Sequence, residues 1–231
     1  MGDICSYALD GKIAVITMDD GKANALSVEM IDALLAALAK AETEASAVVL
    51  AGRPDRFCAG FDLRVMMSGP EQAKALLGRG SDLLLKLFGL PLPLVIAATG
   101  HALAGGALVV LTGDTRIGAQ GAYKLGLNEV AIGLPVPVLA MEFARARLAP
   151  AELTKATLQA QIYTPDDAVR AGYLDAVAPA EHLLAKAMDE ANRLAGLARS
   201  AYKATKLRLR GGVIADIRAR MEEDMRTLMN P

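Results

Sequence analysis

Short apolar runs and helically spaced apolar residues alternate along the first half of the chain, each marking one element. Tyr7 to Asp10 and Lys12 to Met18 flank Asp10-Gly11, a pair that favours the tight turn of a hairpin, and the second arm is rich in β-branched residues. The chain therefore begins in a sheet. Ser27 reads as an N-cap, and Ile31, Leu34, Leu35 and Leu38 repeat at the i, i+3, i+4, i+7 spacing of a helix buried on one side. Val48 to Leu50 returns as a short buried strand. A second helix opens at Pro70-Glu71, uses Leu76, Leu77, Leu83, Leu84 and Leu87, and must stop before Pro91 and Pro93. Leu94 to Ala98 is again an apolar strand.

Strand, helix, strand, helix and strand in this order imply right-handed crossovers, a largely parallel sheet and the α/β class. Ala104 to Leu111 predicts a buried helix, and Thr115 to Ala119 and Ala122 to Leu125 predict short strands. From Val138 onward, Pro150-Ala151-Glu152, Pro165-Asp166-Asp167 and Pro179-Ala180-Glu181 each resemble a helix start with proline at or near its first position. The C-terminal third is thus mostly helical, with a short strand over Tyr173 to Val177 and two last helices, Ser200 to Arg210 and Val213 to Met229. The expected division is a core over residues 1–180 and a helical region over 181–231. No internal repeat or linker interrupts it.

Composition narrows the class of partner. The chain has 231 residues, 53% of them hydrophobic but only 4% aromatic and none Trp, so the core must be Ala, Leu, Val, Ile and Met, which suits packed helices and parallel strands. Twenty-five basic against 26 acidic residues leave a charge of −1, which gives no bulk drive toward nucleic acid or an anionic membrane. The two cysteines, Cys5 and Cys58, allow at most one bridge, and a chain this long does not need one. Reduced thiols and a cytoplasmic location are expected. No apolar run reaches membrane-span length and no signal-peptide core is evident. Met1-Gly2-Asp3-Ile4-Cys5-Ser6 fits a loose myristoylation pattern of the kind that usually matches by accident. With His101 and His182 the only histidines, a His-rich metal site is excluded, and neither zinc spacing nor a phosphate loop of the GxxxxGK[ST] type occurs.

Two stretches carry candidate chemistry: Arg56-Phe57-Cys58-Ala59-Gly60-Phe61-Asp62-Leu63 and Gly100-His101-Ala102-Leu103-Ala104-Gly105-Gly106. Small residues let a chain turn tightly and bring its amides close to a ligand, and amides fixed toward a developing negative charge are usually the largest single catalytic contribution. Alone, Ala59-Gly60 reads as an ordinary strand-to-loop turn and Gly105-Gly106 as a tight strand-to-helix connection. In this order, each after a strand and the second opening a helix, the pair resembles the crotonase family, the enoyl-CoA hydratases and isomerases. The resemblance implies the crotonase (ClpP-like) fold, a superhelix of repeated ββα units whose C-terminal helices pack in homotrimers or dimers of trimers. It also implies a coenzyme A thioester as substrate, no cofactor, and an oxyanion hole made by the backbone N–H groups of Phe61 and Gly105. The Phe61 side chain would then wall the acyl pocket.

Hydratases of that family commonly use two glutamates. Here the first matching position is Leu108, and the second falls in Leu125-Gly126-Leu127-Asn128-Glu129-Val130-Ala131-Ile132-Gly133, at Glu129. This stretch is similar to that of the mitochondrial-type Δ3,Δ2-enoyl-CoA isomerases, which act with a single glutamate. Hydration needs a water positioned and a proton delivered, work that two carboxylates share. A 1,3 proton shift needs one base, and the apolar neighbours of Glu129 would raise its pKa toward the operating pH. A solvated or capping carboxylate is the plainer alternative for Glu129. Enoyl-CoA hydration, another acyl-CoA reaction, and an acyl-CoA-binding relative without catalysis stay open, whereas RNA binding would need a basic surface that the charge balance does not promise.

The resemblance also implies that the coenzyme is held by Lys22, Ala23 and Asn24, by Ala59, Asp62 and Leu63, and by Lys206, with Lys22 reaching phosphate. For Asp62 a loop-fixing hydrogen bond is the ordinary local habit. For Lys206 the alternative is a solvated basic face with Lys203, Arg208 and Arg210. His101 is expected to pack. Phe61, Met66, Met67, Phe88 and Phe143 are candidates for setting acyl chain length.

Overall fold

A computed structural model of the protein describes residues 4–229; Gly2, on which the acylation pattern depends, lies outside them. The expected hairpin is present as β1 (Cys5–Asp10) paired antiparallel with β2 (Ile13–Met18). Ser27 caps α1 (Val28–Glu44) by accepting from the Met30 N–H, and Ile31, Leu34 and Leu38 are buried on its inner face. Then β3 (Ala47–Ala51), β5 (Leu94–Ala98) and β7 (Thr115–Ala119) add in parallel, and β9 (Ala176–Ala178) closes a six-stranded sheet of order β1-β2-β3-β5-β7-β9.

Alternation along these strands divides the apolar side chains between two cores. Val48, Leu50, Leu94 and Ile96 face one core together with Leu34 and Leu38 of α1 and with Leu83, Leu84 and Leu87 of α3 (Pro70–Phe88). Val49, Val95, Ala97 and Ile117 face the other with Leu183, Ala187, Ala191 and Leu194 of α8 (Leu183–Ala195). Both faces of the parallel strands are thereby covered, which explains why they read as unbroken apolar runs. Thus α8, which lies beyond residue 180, packs on the same sheet as the rest.

Three strands leave this sheet and continue into a second, smaller one. After β3 the chain enters β4 (Asp55–Cys58), after β5 it enters β6 (Gly100–Leu103), and after β7 it enters β8 (Leu125–Gly126). These three form a parallel sheet of order β4-β6-β8. Each is followed by helix: α2 (Leu63–Met66) and α3, α4 (Gly105–Thr112), and α5 (Val138–Arg147). This is the repeated ββα unit. Every residue of α4 is buried.

Several boundaries differ from those expected. The strand predicted over Ala122 to Leu125 is only Leu125–Gly126, and that over Tyr173 to Val177 is Ala176–Ala178. Pro150 opens a 3-10 turn, Pro150–Glu152, that leads into α6 (Leu153–Thr157). Pro165 begins α7 (Pro165–Ala171) with Thr164 as its cap. The two predicted C-terminal helices are one, α9 (Arg199–Met229), which runs through Gly211 and Gly212.

Candidate active site

Three site segments emerge where the three strands of the small sheet end. Ala59-Gly60-Phe61 follows β4, Ala104-Gly105 follows β6, and Leu127-Asn128-Glu129 follows β8. Loops at the C-terminal ends of parallel strands converge, and here they line one cavity of about 210 Å³. Phe61, Gly105 and Glu129 share its wall, with Leu63, Met66 and Leu108 among its apolar contributors.

Gly60 has φ +100°, a conformation that L side chains rarely adopt. It places the chain so that Leu26 N–H donates to the Gly60 carbonyl at 2.8 Å and Asp62 N–H donates to the Leu26 carbonyl at 3.3 Å. With both flanking residues turned to Leu26, the alternation of an extended chain directs the Phe61 N–H to the opposite side. Ala59 N–H donates to the Ala23 carbonyl at 3.0 Å, tying the Lys22-Ala23-Asn24 loop to this segment.

The second amide comes from a sharp reversal. Ala104 sits at φ 48°, ψ −121° and turns β6 directly into α4 without a side-chain cap. A non-glycine residue held there costs roughly 1–3 kcal/mol, a strain that collects at functional sites. The Ala104 N–H is held by the Gly126 carbonyl at 3.0 Å, which links the first residue of the second segment to the end of β8, just before the third. Gly105 follows as the first residue of α4, so its N–H lies among the unpaired donors of a buried helix start, where the helix dipole favours negative charge.

Glu129 is only 7% exposed. Its Oε2 is buried without a hydrogen-bond partner, as is Oδ1 of its neighbour Asn128. Burial raises the Glu129 pKa above the ordinary carboxylate value, and a bond from its own backbone amide offsets part of that rise. A carboxylate in this setting is under-solvated and therefore basic. Leu108, the other candidate position for a carboxylate, faces the same cavity. Among the described residues no group of three or more His, Cys, Asp and Glu side chains is placed to hold a metal ion.

The remaining expected site residues divide. Ala59 and Leu63 line the cavity, and the Lys22 side chain is exposed while its carbonyl accepts from Arg53 at 3.0 Å. Asn24 is wholly buried. Its Nδ2 donates to the carbonyls of Met18, Arg56 and Phe57, and its Oδ1 accepts from the Asp20 N–H. These bonds make the Asn24 side chain the scaffold of its loop. Asp62 caps α2 through the Arg64 N–H at 2.9 Å and pairs with the Arg64 guanidinium, so it has the loop-fixing role. Arg64 beside it holds the Asp62 carboxyl below its usual value.

Lys206 is not brought to the cavity. Its side chain is 6% exposed and its ammonium lies 2.6 Å from Asp114 and 2.9 Å from the Leu92 carbonyl. Burial, with the nearby Arg210 and Arg147, pushes its pKa down to about 8 against the pull of Asp114. It forms an internal ion pair and is not part of a solvated face. Phe88 and Phe143 stack at 4.5 Å in the core and Met67 is 85% exposed, which leaves Phe61 and Met66 of the five chain-length candidates on the cavity wall. His101 packs edge-on to Tyr123 and accepts from the Lys124 N–H. Asn128 was missed from sequence, although it sits beside Glu129 in the motif.

Comparison with known proteins agrees with this geometry. The family model described as enoyl-CoA hydratase/isomerase matches residues 9–229. An enoyl-CoA hydratase/isomerase family protein of Pseudomonas syringae superposes with a TM-score of 0.95 at 37% identity, over 98% of each chain. The human mitochondrial delta3-delta2-enoyl-CoA isomerase superposes with a TM-score of 0.94 at 27% identity, over 98% of this chain and 90% of that one. A probable enoyl-CoA hydratase of Bacillus subtilis is 35% identical over 133 residues, which are 56% of this chain and 51% of that protein, so the match spans about half the length of that relative. The chain belongs to the enoyl-CoA hydratase/isomerase family, within the crotonase superfamily.

Proposed function

We propose that the protein is a Δ3,Δ2-enoyl-CoA isomerase in which Glu129 is the single base. The observation that carries this reading is that Glu129 supplies the one carboxylate of the described cavity wall, while Leu108 stands where a second would be needed. The thioester oxygen lies between the N–H groups of Phe61 and Gly105. Glu129 removes a proton from C2, and the C–H electron pair forms the enolate, whose negative charge rests on the oxygen in that hole. The enolate then collapses to a C2–C3 double bond as the former C3–C4 π pair takes the proton back from Glu129 at C4. One carboxylate, raised in pKa by burial, serves as base and then as acid. Lys22, exposed at the loop beside Ala59, is proposed to meet coenzyme phosphate, with Ala23, Ala59 and Leu63 along the coenzyme's path.

One observation favours hydration of 2-enoyl-CoA as a second reading. Asn128 Oδ1 and Glu129 Oε2 are both buried and unpartnered, and the two residues share the cavity wall, a pair of acceptors suited to hold a water. Incubating the protein with 3-hexenoyl-CoA and separately with crotonyl-CoA separates the readings. Conjugated 2-enoyl-CoA from the first and no 3-hydroxyacyl-CoA from the second is the expected result; 3-hydroxybutanoyl-CoA as the main product would replace isomerase by hydratase.

We also propose a cytoplasmic homotrimer or dimer of trimers. Leu207 and Leu209 of α9 are 67% and 72% exposed, apolar surface that assembly would cover, and light scattering measures the mass. No described helix is long and apolar enough to cross a membrane.

A further inference from the structure

The cavity that holds Glu129 backs onto a second, apolar pocket. Phe61, Leu77, Leu108, Pro137 and Leu228 belong to the walls of both. Beyond them the rear pocket is lined by Leu84, Leu139, Ile217 and Met221, with Ser81 and Asp224 as its polar members. Asp224 is already engaged, accepting from the Val138 N–H at 2.8 Å. The rear pocket is narrow, about 30 Å³ against about 210 Å³ in front, room for little more than a water.

The Phe61 ring fits between two helices at positions without side chains. A methyl group built on Gly80 of α3 would lie 2.1 Å from its Cε1, and one built on Gly105 of α4 would lie 3.1 Å from its Cδ2. A glycine inside a helix such as α3 lowers helix stability, and at Gly80 it makes room for this ring. The ring therefore has a defined seat, and that seat lies on the wall common to the two pockets.

We propose that the Phe61 side chain is the stop that sets acyl chain length, closing the rear pocket so that only a short chain is buried in the front cavity. This rests on the acyl-CoA reading above. Methylenes beyond the stop turn back toward solvent and add nothing to binding. One residue then has two separable parts: its amide faces the thioester oxygen, and its ring ends the acyl pocket.

Calorimetric binding of unreactive saturated thioesters tests this without relying on turnover. The series is butanoyl-, hexanoyl-, octanoyl-, decanoyl- and dodecanoyl-CoA, with the full-length protein. Each buried methylene strengthens binding by about fourfold, so wild-type affinity rises over the first members and then levels off. In Phe61→Ala the rise continues, and dodecanoyl-CoA binds at least about tenfold more tightly than to wild type. Adding Ser81→Leu, which refills the rear pocket alone, brings the plateau back. If Phe61→Ala does not fold by circular dichroism, Phe61→Leu reads the same shift at smaller size. General loosening of the site would weaken all five ligands alike and would overturn the proposal. So would a wild-type affinity that climbs steadily to dodecanoyl-CoA, a plateau unmoved in the variant, or one that Ser81→Leu fails to restore. Wild-type protein that binds none of the five would overturn the acyl-CoA reading and this inference with it.

Discussion

The Cα of Gly60 rests against the backbone of Gly105: a methyl group built on Gly60 would lie 3.2 Å from the Gly105 nitrogen and 3.1 Å from the Leu103 carbonyl oxygen. The two segments proposed to form the oxyanion hole thus approach each other through a residue that has no side chain. The contact also joins the end of β4 to the end of β6, so the separation of the two amides depends on it.

Gly60→Ala therefore strains the backbone at φ +100° and forces these segments apart. Loss of one donor from such a hole lowers kcat by about 10²–10³-fold. The expected outcome is a fall of that size in kcat for 3-hexenoyl-CoA isomerisation, with a smaller change in butanoyl-CoA affinity, because the developing charge needs the amide geometry more than the ground state does. Steady-state kinetics and calorimetry on the same preparation check the split.

Glu129 should make activity and stability respond to pH in opposite directions. As a base it must be ionised, so the isomerisation rate rises with pH through its raised pKa and then levels. Its folded pKa lies above the reference value of 4.5, so the folded state holds the proton more tightly than the unfolded state. The sign follows from linkage: stability is retained below the unfolded pKa and lost as pH rises through the folded one. Glu129→Gln, which removes the buried charge, is expected to stabilise the protein at neutral pH by about 0.5–2 kcal/mol. Denaturant melts across the acid to neutral range should show that advantage shrinking as pH falls toward 4.5.

Asp114 anchors the last helix. Its carboxylate lies 2.6 Å from Lys206 Nζ and 2.9 Å from Arg210 Nη2, and it accepts the Leu94 N–H at 2.8 Å. Arg210 also donates to the Phe88 and Thr112 carbonyls at 2.8 and 3.0 Å, covering the C-terminal end of α4, where a cation is favourable. Asp114→Asn would leave these cations buried without their counter-charge, a change that costs about 3–5 kcal/mol, or a Tm lower by about 10 °C for a chain of this size. Adding Lys206→Met should recover part of the loss. Calorimetric scans of the single and double variants give the comparison.

The layout of the site was legible in the sequence because backbone positions carry it: glycines mark where amides approach a ligand, and Phe61, Gly105 and Glu129 do meet on one cavity. The small sheet was not, because strands as short as β4 and β6 show too little alternation to be separated from loop. The scaffold role of the Asn24 side chain was not legible, because its partners Arg56 and Phe57 lie more than 30 positions away in the sequence. For Lys206 the deciding partner, Asp114, lies 92 positions away. Gly211-Gly212 suggested a helix break, since each glycine costs about 1 kcal/mol within a helix. Instead, tertiary contacts on both sides hold α9 continuous: Arg210 on the last carbonyls of α3 and α4, Ile217 in the core, and Arg220 on Glu142 of α5 at 2.8 Å.

The central claim is that Glu129 alone moves the proton, and single-turnover conversion of 3-hexenoyl-CoA by wild type and Glu129→Gln tests it most directly. A positioned acid–base group contributes about 10²–10⁴-fold, so the variant should lose at least that factor while still binding butanoyl-CoA. A Glu129→Gln protein that forms 2-hexenoyl-CoA at close to the wild-type rate would contradict the account.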